Sequence, residues 1–379
     1  MNHIVRTLLA AAIAIVLVAS CVPLPPAPPS AARYVQTSYA DLPGWPAAEL
    51  GPSLRAFLAG CPRLQAVPAL ARACDAASAV PPDNAAAARS FLEATFVPYA
   101  VIAPEGSATG LVTGYYEPVL DGSRGRTDRF RYPIYGVPDD LVDVDLASLY
   151  PELKGLRLRG RLDGRRLVPY YSRAEIDAHG DGFAAPVIAW VADPVELFFL
   201  QIQGSGQIRL GDDDRIRVSY ADQNGHPYSS LGRYLVAQGE LPLEQASMDG
   251  IKQWAQAHPE QLRHALEQNP SYVFFRELPA SGGPIGALGA PLSAGYSIAV
   301  DRRFYPLGAP VYLATTLPPS DQPLERLVMA QDTGGAIRGA VRADLFCGSG
   351  TEAGSLAGGM RQQGRMWVLW PRGETLPRP

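Results

Sequence analysis

Short apolar runs alternate with turn residues along the middle of the chain, across residues 110–218. Each run is rich in β-branched and aromatic residues, and Gly, Pro and Asp separate one run from the next. This pattern is typical of an all-β barrel or sandwich. The runs that predict strands are LVTGYYEPVL, RYPIYGVP, RLVPYYS, APVIAWVAD, LFFLQIQG and QIRLGDDDRIRVSY.

Helical spacing of apolar residues appears on both sides of this block. Residues 46–75 and 83–98 predict helices, and Asp83 is a plausible N-cap for the second. Helical sequence returns at residues 229–239 and continues until Asn269-Pro270 stops it. A second β set then runs from SYVFFREL to RMWVLWP. The order helix, β block, helix, β block allows a nested arrangement, in which the first β block is inserted into the other domain.

The N-terminus predicts secretion and lipid attachment. Arg6 precedes an apolar run at residues 8–19, which is too short to span a membrane and suits a signal peptide. Val18-Ala19-Ser20-Cys21 resembles a bacterial lipobox; the alternative is a plain signal peptide with an incidental cysteine. We therefore expect a signal peptide at 1–20 and a lipid anchor on Cys21 with a Pro-rich tether at 21–40. Val22 after the cysteine favours the periplasmic face of the outer membrane of a Gram-negative bacterium.

Length, charge and composition indicate the number of domains, the type of fold and the classes of partner. The 379 residues predict about two domains. The net charge of −4 does not favour nucleic acid, which would require a basic face, so nucleic acid is not an expected partner. Gly and Pro, at 37 and 36 residues, suit a loop-rich, β-rich protein.

The cysteines other than Cys21 predict one disulfide and no metal site. In an oxidising periplasm Cys61 and Cys74 could pair and close a short loop. Cys347 is then left over, three residues after Asp344. No Cys/His spacing fits zinc, and we expect neither a metal nor an organic cofactor.

Two motifs in the β block suit carbohydrate binding. In GYYEP, Tyr115, Tyr116 and Glu117 combine aromatic rings with a carboxylate; packing in a core and on a strand surface is the alternative. In QIQGSG, Gln amides next to Gly-Ser-Gly suit N-acetyl and hydroxyl groups, whereas a plain hairpin turn is the alternative. Ser205 is not expected to be a nucleophile, because the stretch lacks the G-x-S-x-G elbow.

Two aspartates lie in DTGGAIRGAVRADLF, twelve residues apart. Fully extended, this chain would span about 40 Å. Carboxylates that share glycoside chemistry lie within about 10 Å of each other. Asp332 and Asp344 can therefore cooperate only if the chain folds back between them, which Gly334, Gly335 and Gly339 allow. The alternative is a plain turn at Asp332.

A third aspartate, Asp301, completes a resemblance to a known family. The contexts AVD-x₄-PLG, QDTGGAI and ADLF, preceded by GYYEP and QIQGSG, resemble the membrane-bound lytic murein transglycosylase A family, over residues 111–371. The resemblance implies a mainly β fold with helical additions. It implies a double-psi β-barrel from residues 41–113 and 235–379, an inserted smaller β-barrel domain at 114–234, and a groove between them.

The resemblance also implies residue roles. Asp344 matches the family's catalytic acid, and Asp332 and Asp301 match two supporting aspartates. The partners implied are peptidoglycan glycan strands and, through the lipid anchor, a membrane; other cell-wall enzymes stay open. The residues expected to bind the glycan are Tyr116, Glu117, Gln201, Gln203, Gly204, Ser205, Gly206, Gly334 and Gly335.

The expected reaction is cleavage of the β-1,4 bond from N-acetylmuramic acid to N-acetylglucosamine, with a 1,6-anhydro product and Asp344 as acid and base. Two alternatives stay open: a glycoside hydrolase that uses Asp332 and Asp344 as a pair, and a non-catalytic peptidoglycan-binding lipoprotein. Asp344 must hold its proton near neutral pH, which burial and Asp332 would favour. Arg342, two residues away on the same strand face, would oppose it.

Overall fold

The computed structural model describes residues 31–153, 156, 158–211, 214–279 and 282–376. The predicted signal peptide, Cys21 and the first part of the tether lie outside the described residues. In the part of the chain that is described, no helix has both the length and the hydropathy needed to cross a bilayer.

Strands and helices alternate in the predicted order. The described strands are β1 (Arg33–Gln36), β2 (Phe96–Ile102), β3 (Gly110–Glu117), β4 (Val119–Ser123), β5 (Tyr132–Tyr135), β6 (Val142–Val144), β7 (Leu158–Asp163), β8 (Arg166–Pro169), β9 (Val187–Val191), β10 (Ser205–Arg209), β11 (Arg215–Gln223), β12 (Val273–Leu278), β13 (Ser297–Val300), β14 (Pro310–Leu317), β15 (Gln322–Asp332), β16 (Arg342–Ser349) and β17 (Arg361–Pro371). The described α-helices are α1 (Leu50–Gly60), α2 (Pro68–Ala77), α3 (Ala85–Thr95), α4 (Arg173–His179), α5 (Pro194–Gln203), α6 (Leu231–Ala237), α7 (Met248–Ala257), α8 (Pro259–Glu267) and α9 (Thr351–Gly359).

The predicted helix at residues 46–75 is two helices. α1 ends before a 3₁₀ turn at Cys61–Arg63, and α2 starts at Pro68. Proline lacks an N–H group and suits the first helical position, so it begins a new helix rather than continuing the old one. Cys61 and Cys74 form a disulfide between that turn and α2, as expected. The cap of α3 is Asn84, whose side chain accepts the N–H of Ala87, and not Asp83.

Six strands close a barrel. The order is β3-β16-β13-β15-β14-β17, and β17 pairs back to β3. The β16–β3 and β13–β15 pairs are parallel, and β2 and β1 extend the sheet beyond β17. Large side chains such as Tyr305, Tyr312 and Phe57 fill the core of this barrel and its packed helices.

Most of the first β block, together with β12, forms a sheet of its own. Its order is β12-β11-β10-β4-β9-β5, and a bridge from Gly136 to Phe275 links the β5 end to β12. A small sheet, β6-β7-β8, accompanies it. The sheet includes β12, which follows the domain boundary expected at residue 234.

The strand predicted at LFFLQIQG is wrong: these residues belong to α5. Asp193 caps its first turn by accepting the N–H groups of Val195 and Glu196, and Pro194 takes the first helical position. Gly204 ends the helix at φ 78°, a left-handed conformation that favours glycine. A short apolar run alone does not distinguish a buried strand from a buried helix, whereas these end signals do.

Candidate active site

Asp332 and Asp344 are brought together by one strand. Ala299 of β13 pairs with Asp332 of β15 on one side and with Asp344 of β16 on the other. Neighbouring strands lie roughly 4.8 Å apart, so the two aspartate Cα atoms are about 10 Å from each other. The chain therefore folds back between the two aspartates, as their separation required.

Asp344 is a partly exposed carboxyl group with a raised pKa. The hydroxyl of Thr113, its partner residue on β3, donates to Oδ1 at 2.5 Å. Burial is the main cause that raises the pKa of Asp344, and the negative charge of Asp332 adds to it. The Thr113 hydrogen bond and the Arg342 charge lower that pKa without reversing the direction. The sequence left open whether Arg342 would keep the pKa of Asp344 low. In the structure, desolvation outweighs the Arg342 charge and the pKa is raised.

Asp332 is held by three donors. Oδ1 accepts the N–H groups of Ala287 at 2.9 Å and Thr333 at 2.8 Å, and Oδ2 accepts the Tyr115 hydroxyl at 2.9 Å. Burial raises the pKa of Asp332, although these three hydrogen bonds lower it. Both oxygens of Asp332 thus accept hydrogen bonds from the protein, whereas among the described residues Asp344 accepts one at Oδ1 and none at Oδ2.

Asp301 anchors the loop between the other two aspartates. Oδ2 accepts the N–H of Gly339 at 2.9 Å, and the carboxylate forms an ion pair with Arg303. Burial would raise the pKa of Asp301, but the Arg303 side chain and the N–H groups of Gly339 and Arg303 outweigh it and lower the pKa. Gly339 has a φ of 118°, so the loop turns where glycine is favoured.

A small apolar cluster lies next to Asp332 and Asp344. It consists of Tyr115, Leu292, Ala299, Ile337 and Phe346, all buried. The rings of Tyr115 and Phe346 lie 5.3 Å apart, on strands β3 and β16. Tyr115 donates to Asp332 and Ala299 pairs with both aspartates, so the cluster adjoins both carboxyl groups. Apolar neighbours disfavour the charged form of a carboxyl group.

A pocket of about 210 Å³ lies on the other face of β3. Gly114 and Tyr116 line it from β3, Phe199 and Gln203 from α5, and Met248 from α7. The side-chain oxygen of Gln203 accepts the N–H of Tyr116 at 3.1 Å. Of the residues predicted to bind glycan, Tyr116 and Gln203 therefore share one pocket.

Glu117 and Gln201 are buried in contacts within the protein, so the geometry does not support their predicted glycan contacts. Glu117 is fully buried and forms an ion pair with Arg217 of β11. Gln201 accepts a hydrogen bond from the buried guanidinium of Arg173 at 2.6 Å. From the sequence alone, a polar residue in such a motif fits either a ligand contact or a buried structural role. The two cannot be distinguished there, because burial depends on residues distant in the chain.

Several glycines of the two glycine-rich motifs have local structural roles. Gly204 ends α5, and a side chain at Gly206 would meet Leu200. Ser205 is buried in β10. Gly334 packs close to Ile337, whereas Gly335 is exposed with open space around it.

Sequence reasoning missed Thr113 and Ala287. Thr113 lies two residues before Tyr115 in the predicted strand LVTGYYE. Strand alternation places both side chains on one face, and this was the sequence signal that could have identified Thr113. Ala287 contributes only its backbone, which no residue-type pattern indicates. Among the described residues, no group of three or more His, Cys, Asp or Glu is placed to hold a metal ion.

Comparison with known proteins agrees with this geometry. Residues 111–276 match the MltA specific insert domain, and residues 296–370 match the 3D domain. A crystal structure of MltA from Neisseria gonorrhoeae is 40% identical with a TM-score of 0.82, covering 94% of this chain and 100% of that one. The chain belongs to the membrane-bound lytic murein transglycosylase A (MltA) family. The mainly β fold expected for MltA, a double-psi β-barrel with an inserted domain, is confirmed.

Two further MltA relatives come from Escherichia coli. The curated membrane-bound lytic murein transglycosylase A of strain K12 is 36% identical over 265 residues, which cover 68% of this chain and 64% of that protein. The match thus spans less than two thirds of that relative's length. A crystal structure of E. coli MltA with bound chitohexaose is 27% identical with a TM-score of 0.66, covering 92% of this chain and 95% of that one.

Proposed function

We propose that this chain is a peptidoglycan lytic transglycosylase that uses Asp344 as its only acid and base. It cleaves the β-1,4 bond between N-acetylmuramic acid and N-acetylglucosamine and forms a 1,6-anhydromuramoyl end. The observation that carries the proposal is the contrast between the two central carboxyl groups. Both groups are partly exposed with a raised pKa, but both oxygens of Asp332 accept hydrogen bonds from the protein, whereas among the described residues Asp344 accepts one at Oδ1 and none at Oδ2.

In the first step, protonated Asp344 donates to the bridging oxygen. The glycosidic C–O bond breaks with its electron pair going to that oxygen, and positive charge develops at the muramic anomeric carbon. A raised pKa supports this step because an unperturbed aspartic acid, with a pKa of about 3.9, would lack the proton near neutral pH.

In the second step, the Asp344 carboxylate accepts the proton of the 6-hydroxyl group of the same sugar. The 6-oxygen attacks the anomeric carbon and closes the anhydro ring, which regenerates the acid. Because the nucleophile is part of the substrate, no second carboxylate and no activated water are required. Intramolecular attack gains on the order of several kcal/mol when the groups are well oriented.

The saturation of Asp332 argues against a paired-carboxylate hydrolase. A hydrolase of either stereochemistry needs a second carboxylate free to act as nucleophile or base. Asp332 instead holds Ala287, Thr333 and Tyr115. We assign to Asp332 the role of raising the proton affinity of Asp344. We assign to Asp301 the role of anchoring the loop between Asp332 and Asp344.

We further propose that glycan strands bind between the barrel and the inserted domain. Gly335, which is exposed, leaves open space in the loop between Asp332 and Asp344, whereas the pocket lined by Tyr116 and Gln203 lies on the face of β3 opposite Thr113 and Tyr115. The chitohexaose bound by E. coli MltA, an oligomer of β-1,4-linked N-acetylglucosamine, supports a glycan as ligand. We propose that the insert comprises β4–β12, and that acylated Cys21 holds the enzyme at the periplasmic face of the outer membrane.

Digestion of purified sacculi followed by mass spectrometry of the products tests the activity. We expect anhydro ends, each lighter by one water than a hydrolysed reducing end. Asp344→Asn should abolish them while the variant still sediments with sacculi. Asp83→Asn, a matched change at an exposed aspartate paired with Arg55, should leave product formation intact. Reducing ends, or full activity of Asp344→Asn, would refute the proposal.

A further inference from the structure

We propose that Arg342 is a positioning residue that orients the Thr113 hydroxyl, so that Oδ2 of Asp344 is the oxygen that carries the acid proton. This inference rests on the proposed function, because it assigns the proton of that reaction to one atom. It rests on the geometry of three side chains on two paired strands, β3 and β16.

Arg342 determines what the Thr113 oxygen can do. Nη2 of Arg342 donates to Oγ1 of Thr113 at 2.9 Å. A guanidinium group has only donors, so Oγ1 must be the acceptor in this contact. The guanidinium also donates to the carbonyl oxygens of Ala343 and Leu111, which fixes its position at the strand pair.

The Thr113 hydroxyl proton then has one destination. A threonine hydroxyl carries a single hydrogen, and Oδ1 of Asp344 lies 2.5 Å from Oγ1. With its oxygen accepting from Arg342, Thr113 donates to Asp344. If Oδ1 carried the acid proton, two hydrogens would face each other in this short contact. Protonated Asp344 therefore carries its hydrogen on Oδ2.

Oδ2 is free to face the substrate. Among the described residues, no hydrogen bond reaches this oxygen. In the proposed reaction the Oδ2–H bond breaks as the leaving sugar gains its hydroxyl, and Oδ2 gains the 6-hydroxyl proton as the anhydro ring closes. One atom thus donates and accepts, and the carboxyl group need not rotate between the two steps.

Thr113 lies between Arg342 and Asp344 and so separates the guanidinium group from the acid. A direct Arg–carboxylate pair would hold Asp344 ionised. In the described part of the chain Arg342 forms no direct ion pair with Asp344, and its charge lowers the pKa of Asp344 less than burial raises it. The other titratable groups facing Asp344 are Asp332 on β15, Tyr115 on β3 and Cys347 on β16.

A double-mutant cycle tests the inference. The rate is measured on the acidic plateau of the pH profile, where Asp344 is fully protonated and pKa changes do not contribute. We expect Arg342→Met to lower kcat roughly tenfold with little change in KM, and Thr113→Val to lower it by a similar factor. In the Thr113→Val background, Arg342→Met should cost less than about twofold, because its target is already absent. Independent, multiplying effects would overturn the proposal.

Conservative variants control for misfolding. Thr113→Ser keeps the hydroxyl and Arg342→Lys keeps a cationic donor, so each should recover most of the plateau rate. A Thr113→Ser variant as slow as Thr113→Val, with an unchanged thermal unfolding transition, would contradict the role of the hydroxyl.

A measurement without turnover separates this inference from the proposed function. The carboxyl carbon of Asp344, labelled with ¹³C, reports its pKa by NMR. Thr113→Val and Arg342→Met should each raise that pKa, since each removes a group that lowers it. An unchanged pKa in Thr113→Val would overturn the hydrogen-bond assignment even if wild-type enzyme forms anhydro ends. Absence of anhydro ends, with both pKa shifts observed, would refute the reaction alone.

Discussion

Glu117 and Arg217 form a buried ion pair that joins the barrel to the second sheet. Glu117 ends β3 of the barrel, and Arg217 lies in β11 of the second sheet. The Glu117 carboxylate also accepts Nε2 of Gln207 at 2.8 Å and the hydroxyl of Ser349 at 2.6 Å. Donors from the barrel and from the second sheet thus converge on one carboxylate, at the point where the chain passes from the barrel to that sheet.

Replacing Glu117 should destabilise the whole protein. Removing the charge of one partner of a buried ion pair takes away its attraction for the other and typically costs about 3–5 kcal/mol. We expect Glu117→Gln to lower the free energy of unfolding by about 3 kcal/mol, measured by urea denaturation. Glu277→Gln is the control, because the Glu277–Arg124 pair is about half exposed and worth less than about 1 kcal/mol. Equal losses in the two variants would contradict this reading of Glu117.

The motif that contains Glu117 shows which features the sequence pattern predicts and which it does not. Alternation predicted a strand through GYYEP, and the strand is present as β3. The sugar-binding role expected for Glu117 depended on its exposure, which is set by β11 and β16, more than 90 residues away in the chain. Local sequence therefore specified the strand, and long-range packing buries its last residue.

The aspartate site was more accessible to prediction. The glycines between Asp332 and Asp344 indicated a return of the chain, and the structure places both beside Ala299. The hydrogen bonds that distinguish the two carboxyl groups come from Thr113, Tyr115 and the backbone of Ala287. Those partners derive from strand register and from a loop near the end of the inserted block, neither of which has a residue-type signature.

Neutralising Asp332 should move the basic limb of the pH profile to lower pH. The negative charge of Asp332 raises the pKa of Asp344, so Asp332→Asn removes that contribution and lowers the pKa. Asp344 then loses its proton at a lower pH, and kcat/KM falls earlier on the alkaline side. The measurement is the pH dependence of kcat/KM for release of anhydro ends.

Asp301→Asn is the matched control for that profile. Asp301 holds Gly339 and Arg303 and is not among the groups that shift the pKa of Asp344. We expect this variant to unfold at lower temperature with its basic limb unmoved. A shift of the limb in Asp301→Asn, or none in Asp332→Asn, would contradict the division of roles between the two aspartates.

Asp344→Asn should stabilise the protein at neutral pH while abolishing turnover. The folded-state pKa of Asp344 is raised above its unfolded value, so folding favours the protonated form. The associated stability is present below the unfolded pKa, about 3.9, and is lost as the pH rises through the folded pKa. Above that pH the wild type carries a buried charge, which asparagine avoids.

The test compares urea unfolding of the two proteins at two pH values. Near neutral pH the midpoint for Asp344→Asn should exceed that of the wild type, and below about pH 4 the two should converge. A variant that is less stable at neutral pH would show that the ionised carboxylate is stabilised in the fold, and would remove the physical basis for its role as an acid.

Cys347 should be unreactive although it lies three residues from Asp344. Burial raises the pKa of the Cys347 thiol to about 12, and the negative charge of Asp344 adds to the shift. The thiolate is the reactive form, so alkylation by iodoacetamide near pH 8 should be roughly a thousandfold slower than for a free cysteine. Mass spectrometry of the intact protein measures the rate, and urea-unfolded protein is the control, since Cys61 and Cys74 are disulfide-bonded and do not react. Labelling of the folded protein at the unfolded rate, with loss of activity, would instead place a reactive thiol in the site and require a mechanism that includes it.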